Sequence, residues 1–152
     1  MARPAHSGVT LVEVLAALVV VAVGLLGGLA LVIDGLRASR SALQQTQAAL
    51  LASDLGDRIR ANRVGGLSYA LDAGNELAAP ALACEDAGEC GPADVAARDL
   101  YEWQRTVLGA LPGASTEVTV VPVAGGFRYS IALDWAADVA SGSATIVLTV
   151  QA

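Results

Sequence analysis

Lysine is absent from the sequence: all nine basic residues are arginine, set against 15 acidic residues for a formal charge of −6. That balance excludes a surface built to neutralise nucleic-acid phosphates, which needs an excess of cations. The one histidine, His6, lies among the first eight residues, and no glycine loop sits between a strand and a helix. With no nucleophile beside a recognisable base either, the chain offers no catalytic constellation, so no enzyme and no cofactor are expected. Cys84 and Cys90 are the only cysteines, too few for a tetrahedral zinc site unless carboxylates are recruited. Proline is missing between Pro4 and Pro80, so nothing breaks a helix over that stretch. From Val14 to Ile33 no charged or strongly polar side chain occurs at all.

That last absence is also the chief presence. Twenty helical residues reach about 30 Å, the hydrocarbon thickness of a bilayer. An ordinary secretory signal has an apolar region of about 7–15 residues followed by a small-x-small cleavage site, and this run is longer, with its glycines and alanines inside it. It is the only window long enough to cross a membrane; the 55% hydrophobic content is otherwise carried by many alanines. Glu13 stands at the edge of the run. A carboxylate there costs less than the roughly 2.5–3.5 kcal/mol of one at a span's centre, but it still asks for a partner.

The heptapeptide Ser7-Gly8-Val9-Thr10-Leu11-Val12-Glu13, with its apolar tail, resembles the class III signal of type IV pilins. The resemblance implies cleavage by prepilin peptidase after Gly8 on the cytoplasmic side. It makes Val9 the first mature residue and the site of N-methylation, although the family usually has phenylalanine there. Glu13 becomes the fifth mature residue, with a role in assembly. The stretch from Ala52 to Arg63, with Asp57-Arg58-Ile59-Arg60-Ala61-Asn62 inside it, and the run from Asp99-Leu100-Tyr101-Glu102-Trp103 to Leu111-Pro112-Gly113, resemble minor pilins of the PilV kind.

The fold so implied is α+β and type IV pilin-like: a long N-terminal helix, transmembrane in its first half, packed on a small antiparallel sheet, with an additional helix in the αβ loop. The expected organisation is a leader over residues 1–8, a transmembrane or filament-core half-helix over 9–33, and a periplasmic head over 34–152. Within the head, 34–63 is the amphipathic half of the helix, 64–111 a loop and second helix, and 116–151 the sheet. The resemblance further implies a single pass through the bacterial inner membrane and presence in the pilus when assembled. Its implied partners are other minor pilins, the major pilin, prepilin peptidase and the inner-membrane assembly platform, with no direct nucleic-acid partner. In an extracytoplasmic head, Cys84 and Cys90 read as one disulfide around five residues, a ring that stabilises by roughly 2–2.5 kcal/mol in the chain-entropy model. Two other functions fit the same signal. A pseudopilin of a type II secretion system shares the signal, helix and sheet and differs in its genomic neighbours; a non-polymerising membrane-anchored periplasmic binding module would keep an uncleaved N-terminus.

Periodicity supplies the rest. The first helix is expected to run to about Arg63, with Gly24, Gly27 and Gly28 each costing about 1 kcal/mol relative to alanine. Its second half carries Leu36, Leu43 and Leu50 at sevenfold spacing, and Ala48, Leu51, Leu55 and Ile59 at three and four. Arg58, Arg60 and Arg63 complement the negative end of the helix dipole, and Val64-Gly65-Gly66 forms the exit. Leu67 to Gly91 reads as loop. A second helix, about Asp94 to Leu108, gathers Ala96, Leu100, Trp103 and Val107 on one face, with Trp103 in the core. Strands are expected over Glu117–Val123, Phe127–Trp135 and Ala144–Val150, with a turn at 124–126. Phe127, Tyr129, Ile131, Leu133 and Trp135 alternate onto a buried face, which Leu51, Leu55 and Ile59 should cover, and Pro122 places the first strand at an edge.

Overall fold

The structure is a computed structural model that describes residues 10–80, 90–136 and 142–152. Helix α1 spans Leu11–Ala61. A 3-10 segment, Arg63–Tyr69, follows, then helix α2, Pro92–Ala110. Strands β1 (Ser115–Val123), β2 (Gly126–Ala136) and β3 (Ser143–Gln151) complete the order. The chain divides into two compact units, residues 1–40 and 41–152.

In the first unit every described residue is exposed. The helix passes through Gly24, Gly27 and Gly28 without a break, and a Cβ at any of the three would meet nothing within 4 Å. Among the described residues, the cost of glycine in a helix interior is therefore not recovered by any close approach.

The second unit holds the core. The final turns of α1 bury Ala48, Ala52, Leu55, Gly56 and Ile59, positions three and four apart that fall on one helical face. The sevenfold series lies elsewhere: Leu43 and Leu50 are 58% and 66% exposed. A strict seven-residue repeat drifts about 20° per step around a 3.6-residue helix, and here the small residues of the second series define the face that docks. Gly56 shows how close that docking is, since a Cβ there would lie 3.1 Å from Val150 Cγ2 and 3.6 Å from Leu148 Cδ2.

The three strands form an antiparallel meander in the order β1-β2-β3. Val118 pairs with Ile131 and Val120 with Tyr129; on the other side Tyr129 pairs with Val150, Ile131 with Leu148 and Leu133 with Ile146. The alternation of β2 appears as expected: Tyr129, Ile131, Leu133 and Trp135 are buried, and they share one cluster with Leu55, Ile59, Trp103, Val118 and Val150, while Leu51 packs half-buried against it. Phe127, expected in the same row, is half-buried and packs on the 3-10 segment at Gly66. Gly66 has φ +49° and ψ −122°, and a Cβ there would lie 2.9 Å from Phe127 Cε2, so the kink requires glycine on both counts. Beyond it, Leu71 forms an isolated bridge with Val118 on the outer side of β1. Pro122 is on that edge strand, as its missing N–H demands.

Helix α2 begins two residues earlier than periodicity indicates, because Pro92 fits the first helical position and Asp94 Oδ2 accepts a hydrogen bond from Gly91 N–H at 3.1 Å. Its buried face is the expected one plus Gln104. Trp103 is fully buried, and its indole N–H donates to the Leu51 carbonyl at 2.8 Å, tying α2 to α1.

Candidate functional site

Thr10 starts α1. The Glu13 amide lies 3.1 Å from the Thr10 carbonyl and 3.3 Å from its hydroxyl, which places the Glu13 side chain in the first turn, where the helix dipole favours an anion. From there to Ile33 the surface is apolar all round: Leu11 is 78% exposed and Leu31 75%. Scattered exposed leucines are ordinary, but a continuous apolar sleeve is a surface for lipid or for other apolar helices. Among the described residues α1 is the one helix long and apolar enough to cross a membrane. The glycine and valine of the expected cleavage site, Gly8 and Val9, lie outside the described residues.

In the head the charged groups gather where α1 ends. Arg58 Nε donates to Asp54 at 3.0 Å, and its Nη1 lies 3.4 Å from both Asp99 and Glu102 on α2. Arg98 donates to Glu102 at 2.8 Å. The Tyr69 hydroxyl donates to Asp99 Oδ2 at 2.7 Å, while Asn62 donates to that hydroxyl at 3.2 Å and to the Pro92 carbonyl at 2.8 Å. Burial works against the Arg58 charge, but Asp54 and Asp99 outweigh it and its pKa rises. The hydrogen bond from Arg98 lowers the Glu102 pKa against a smaller opposing effect of burial. Burial first, then the bond to Asp99, pushes the Tyr69 phenol well above its ordinary range. Arg58, expected to complement the α1 dipole, is also a clasp between two helices. The sequence carried a signal for this in Asp99 and Glu102, an i,i+3 acidic pair on one side of α2.

Gln104 is the second group that periodicity missed. It is 4% exposed and fully satisfied: its carbonyl accepts from Leu77 N–H at 2.8 Å, and its amide donates to the Asn75 carbonyl at 2.7 Å and the Thr116 hydroxyl at 2.9 Å. It pins the chain after the 3-10 segment to α2 and β1. An open depression of about 250 Å³ beside it is lined by Gly74, Asn75, Glu76, Gln104, Leu108 and Ala114. Glu76 is its one ionisable side chain, which leaves no acid–base pair there. Among the described residues no group of three or more histidine, cysteine or acidic side chains could hold a metal. Cys90, next to the start of α2, is disulfide-bonded; Cys84 lies outside the described residues.

Residues 30–101 match the Tt1218-like family, described as Type IV pilin Tt1218. Residues 3–29 match the prokaryotic N-terminal methylation motif, which includes Gly8, Val9 and Glu13. No curated protein and no solved structure matches the chain significantly. The apolar N-terminal helix, the three-stranded antiparallel sheet and the extra helix are an α+β, type IV pilin-like architecture. The chain is thus similar to the type IV pilins over residues 30–101, behind a match to a prepilin methylation motif, and the type IV pilins are a family of structural proteins and not of enzymes.

Proposed function

We propose that this chain is a minor pilin of the PilV kind that takes part in type IV pilus assembly, and through it in motility or adhesion. The observation that carries the reading is the apolar sleeve of α1 headed by Glu13, in a chain that opens on a methylation motif. Under this reading prepilin peptidase cuts after Gly8, Val9 becomes the methylated N-terminus, and the head folds in the periplasm. There Cys84 closes a disulfide with Cys90. The sleeve first holds the protein in the inner membrane, then packs among the helices of other minor pilins and the major pilin as the assembly platform extracts it. Gly24, Gly27 and Gly28, which meet nothing among the described residues, allow close approach of a neighbouring helix.

Glu13 acts in that transfer. Cleavage creates an α-amine at Val9, and a carboxylate moved into an apolar bundle is unfavourable unless it is paired. Pairing with the amine of the adjacent subunit neutralises both charges and fixes the axial register between helices. The test is Glu13→Ala in cells with active prepilin peptidase. Membrane insertion, an intact mass beginning at Val9 and the head's melting temperature are expected to persist, while the protein disappears from sheared filaments. Entry of the alanine variant at the wild-type ratio to major pilin refutes the pairing. Recovery of wild-type chain still carrying Met1 to Gly8 refutes the pilin assignment itself.

A further inference from the structure

Helix α2 has a second stripe beside its buried row. Tyr101, Arg105 and Leu108, four and three residues apart, share one side of it. Alongside runs the stretch 75–78, which Gln104 holds in place through its bonds to the Asn75 carbonyl and the Leu77 N–H. Between the two banks lies a depression of about 330 Å³, lined by that stripe and by Glu76, Leu77 and Gln104. It shares Glu76, Gln104 and Leu108 with the depression of about 250 Å³ described above, so the two form one trough. Opposite charges line this trough without meeting. The Arg105 guanidinium sits over the Tyr101 ring, 5.7 Å from its centroid, and its Nη1 donates to the Tyr101 hydroxyl at 3.3 Å. Arg58, Arg60 and Arg98 each hold a carboxylate, but among the described residues Arg105 holds none. Glu76 likewise has no cationic partner among the described residues. Both side chains are exposed.

We propose that this trough binds a small zwitterion of the amino-acid or dipeptide class. The ligand's carboxylate meets Arg105, its ammonium meets Glu76, and an apolar side chain lies against Leu77 and Leu108. Charge complementarity selects this class. A plain anion drawn to Arg105 would face the Glu76 carboxylate, and a plain cation drawn to Glu76 would face the guanidinium, so each is opposed by one bank. A neutral ligand would leave both charges unanswered. Only a molecule carrying both signs answers both, and a guanidinium fork receives a carboxylate through two parallel N–H donors. The trough is also built before any ligand arrives, because Gln104 is buried and fixes the bank that carries Glu76. Its volume falls in the range of about 300–1,000 Å³ usual for small-molecule sites. Solvent screens both charges, so the dissociation constant is expected on the order of 1 mM. This inference does not depend on the assembly role of Glu13.

The test titrates the full-length, nitrogen-15-labelled chain in maltoside micelles with leucyl-leucine, with N-acetyl-leucyl-leucine and with leucyl-leucine amide. The Gln104 side-chain amide and the Arg105 Nε–H are the resonances to follow. Expected are saturable shifts with the zwitterion and an affinity about tenfold weaker for either blocked form, each of which has lost one charge-assisted contact. Glu76→Gln should stop distinguishing leucyl-leucine from its N-acetyl form while still preferring it to the amide. Arg105→Gln should do the reverse. Neither substitution should move the melting temperature, since both side chains are exposed. Equal affinity of the wild type for the three compounds, a preference for the free ammonium that survives Glu76→Gln, or no saturable shift with leucyl-leucine up to about 10 mM would each overturn the proposal.

Discussion

Two tyrosine rings meet edge-on in the core, Tyr69 and Tyr129, with centroids 6.3 Å apart and planes at 88°. Their hydroxyls fare differently. Tyr69 donates to Asp99, whereas Tyr129 Oη is buried with no hydrogen-bond partner among the described residues. A buried hydroxyl left unpaired costs about 1–3 kcal/mol of desolvation. Tyr129→Phe is therefore expected to leave stability unchanged or raise it by about 1 kcal/mol, read from the denaturant midpoint; a loss larger than ~1 kcal/mol would mean that the hydroxyl is satisfied. Tyr69 gives the pH dependence. Its phenol holds the proton to higher pH in the folded than in the unfolded state, where its pKa is about 10. The stability this contributes is whole below about pH 10 and drains as the pH climbs towards the raised folded value, because the unfolded chain releases its proton first. Tyr69→Phe should accordingly flatten the alkaline loss of stability, and an unchanged slope above about pH 10 would contradict the raised pKa that burial, and then the bond to Asp99, give this phenol. The place of Tyr129 was legible from strand alternation. That of Tyr69 was not: it lies in a stretch with no periodicity, and its burial comes from a 3-10 segment whose kink at Gly66 has no counterpart in helix or strand patterns.

At the scale of elements, the sequence defined the helices and the middle strand well, because their apolar spacing reports directly which face is buried. It did not separate the two apolar series on α1. Leu43 and Leu50 face solvent in the head, while Ala48, Ala52 and Gly56 face the sheet, and only the packed structure shows that small residues let α1 lie close to β3. Leu55→Ala should destabilise by about 2–5 kcal/mol and Leu43→Ala by less than ~0.5 kcal/mol in equilibrium unfolding. Equal costs would mean that both series are buried. Strand β1 begins at Ser115 rather than Glu117, since Thr116 is 2% exposed and takes the Gln104 amide. That pairing joins residues in separate elements and leaves no trace in local pattern.

For the whole molecule, every member of the hydrophobic core lies at Ala48 or beyond. A chain starting at Ser41 should therefore melt within about 4 °C of the full-length protein, the shift that ~1 kcal/mol produces in a domain this small. A larger drop in differential scanning would show that the first 40 residues support the head. The membrane-length helix was legible because the uncharged run from Val14 to Ile33 matches the hydrocarbon thickness of a bilayer, whereas a helix on a water-facing core needs a polar side. The route of the chain from Tyr69 to Pro80 was not, because it is held by Leu71, which exchanges backbone bonds with Val118, and by Leu77, whose N–H donates to the Gln104 side chain, pairings that composition does not encode.

The seating of Gly56 against Val150 and Leu148 also sets an order in time. The meander closes through neighbouring strands, contacts that are cheap in loop entropy and quick to form, whereas the helix–sheet seam joins an early part of the chain to nearly its last strand. During synthesis α1 is delivered first and must wait, its small-residue face uncovered, until β3 has emerged. The head is thus a structure that locks from its C-terminal end, and a chain released short of β3 would present both an open sheet and a bare helix face to its surroundings.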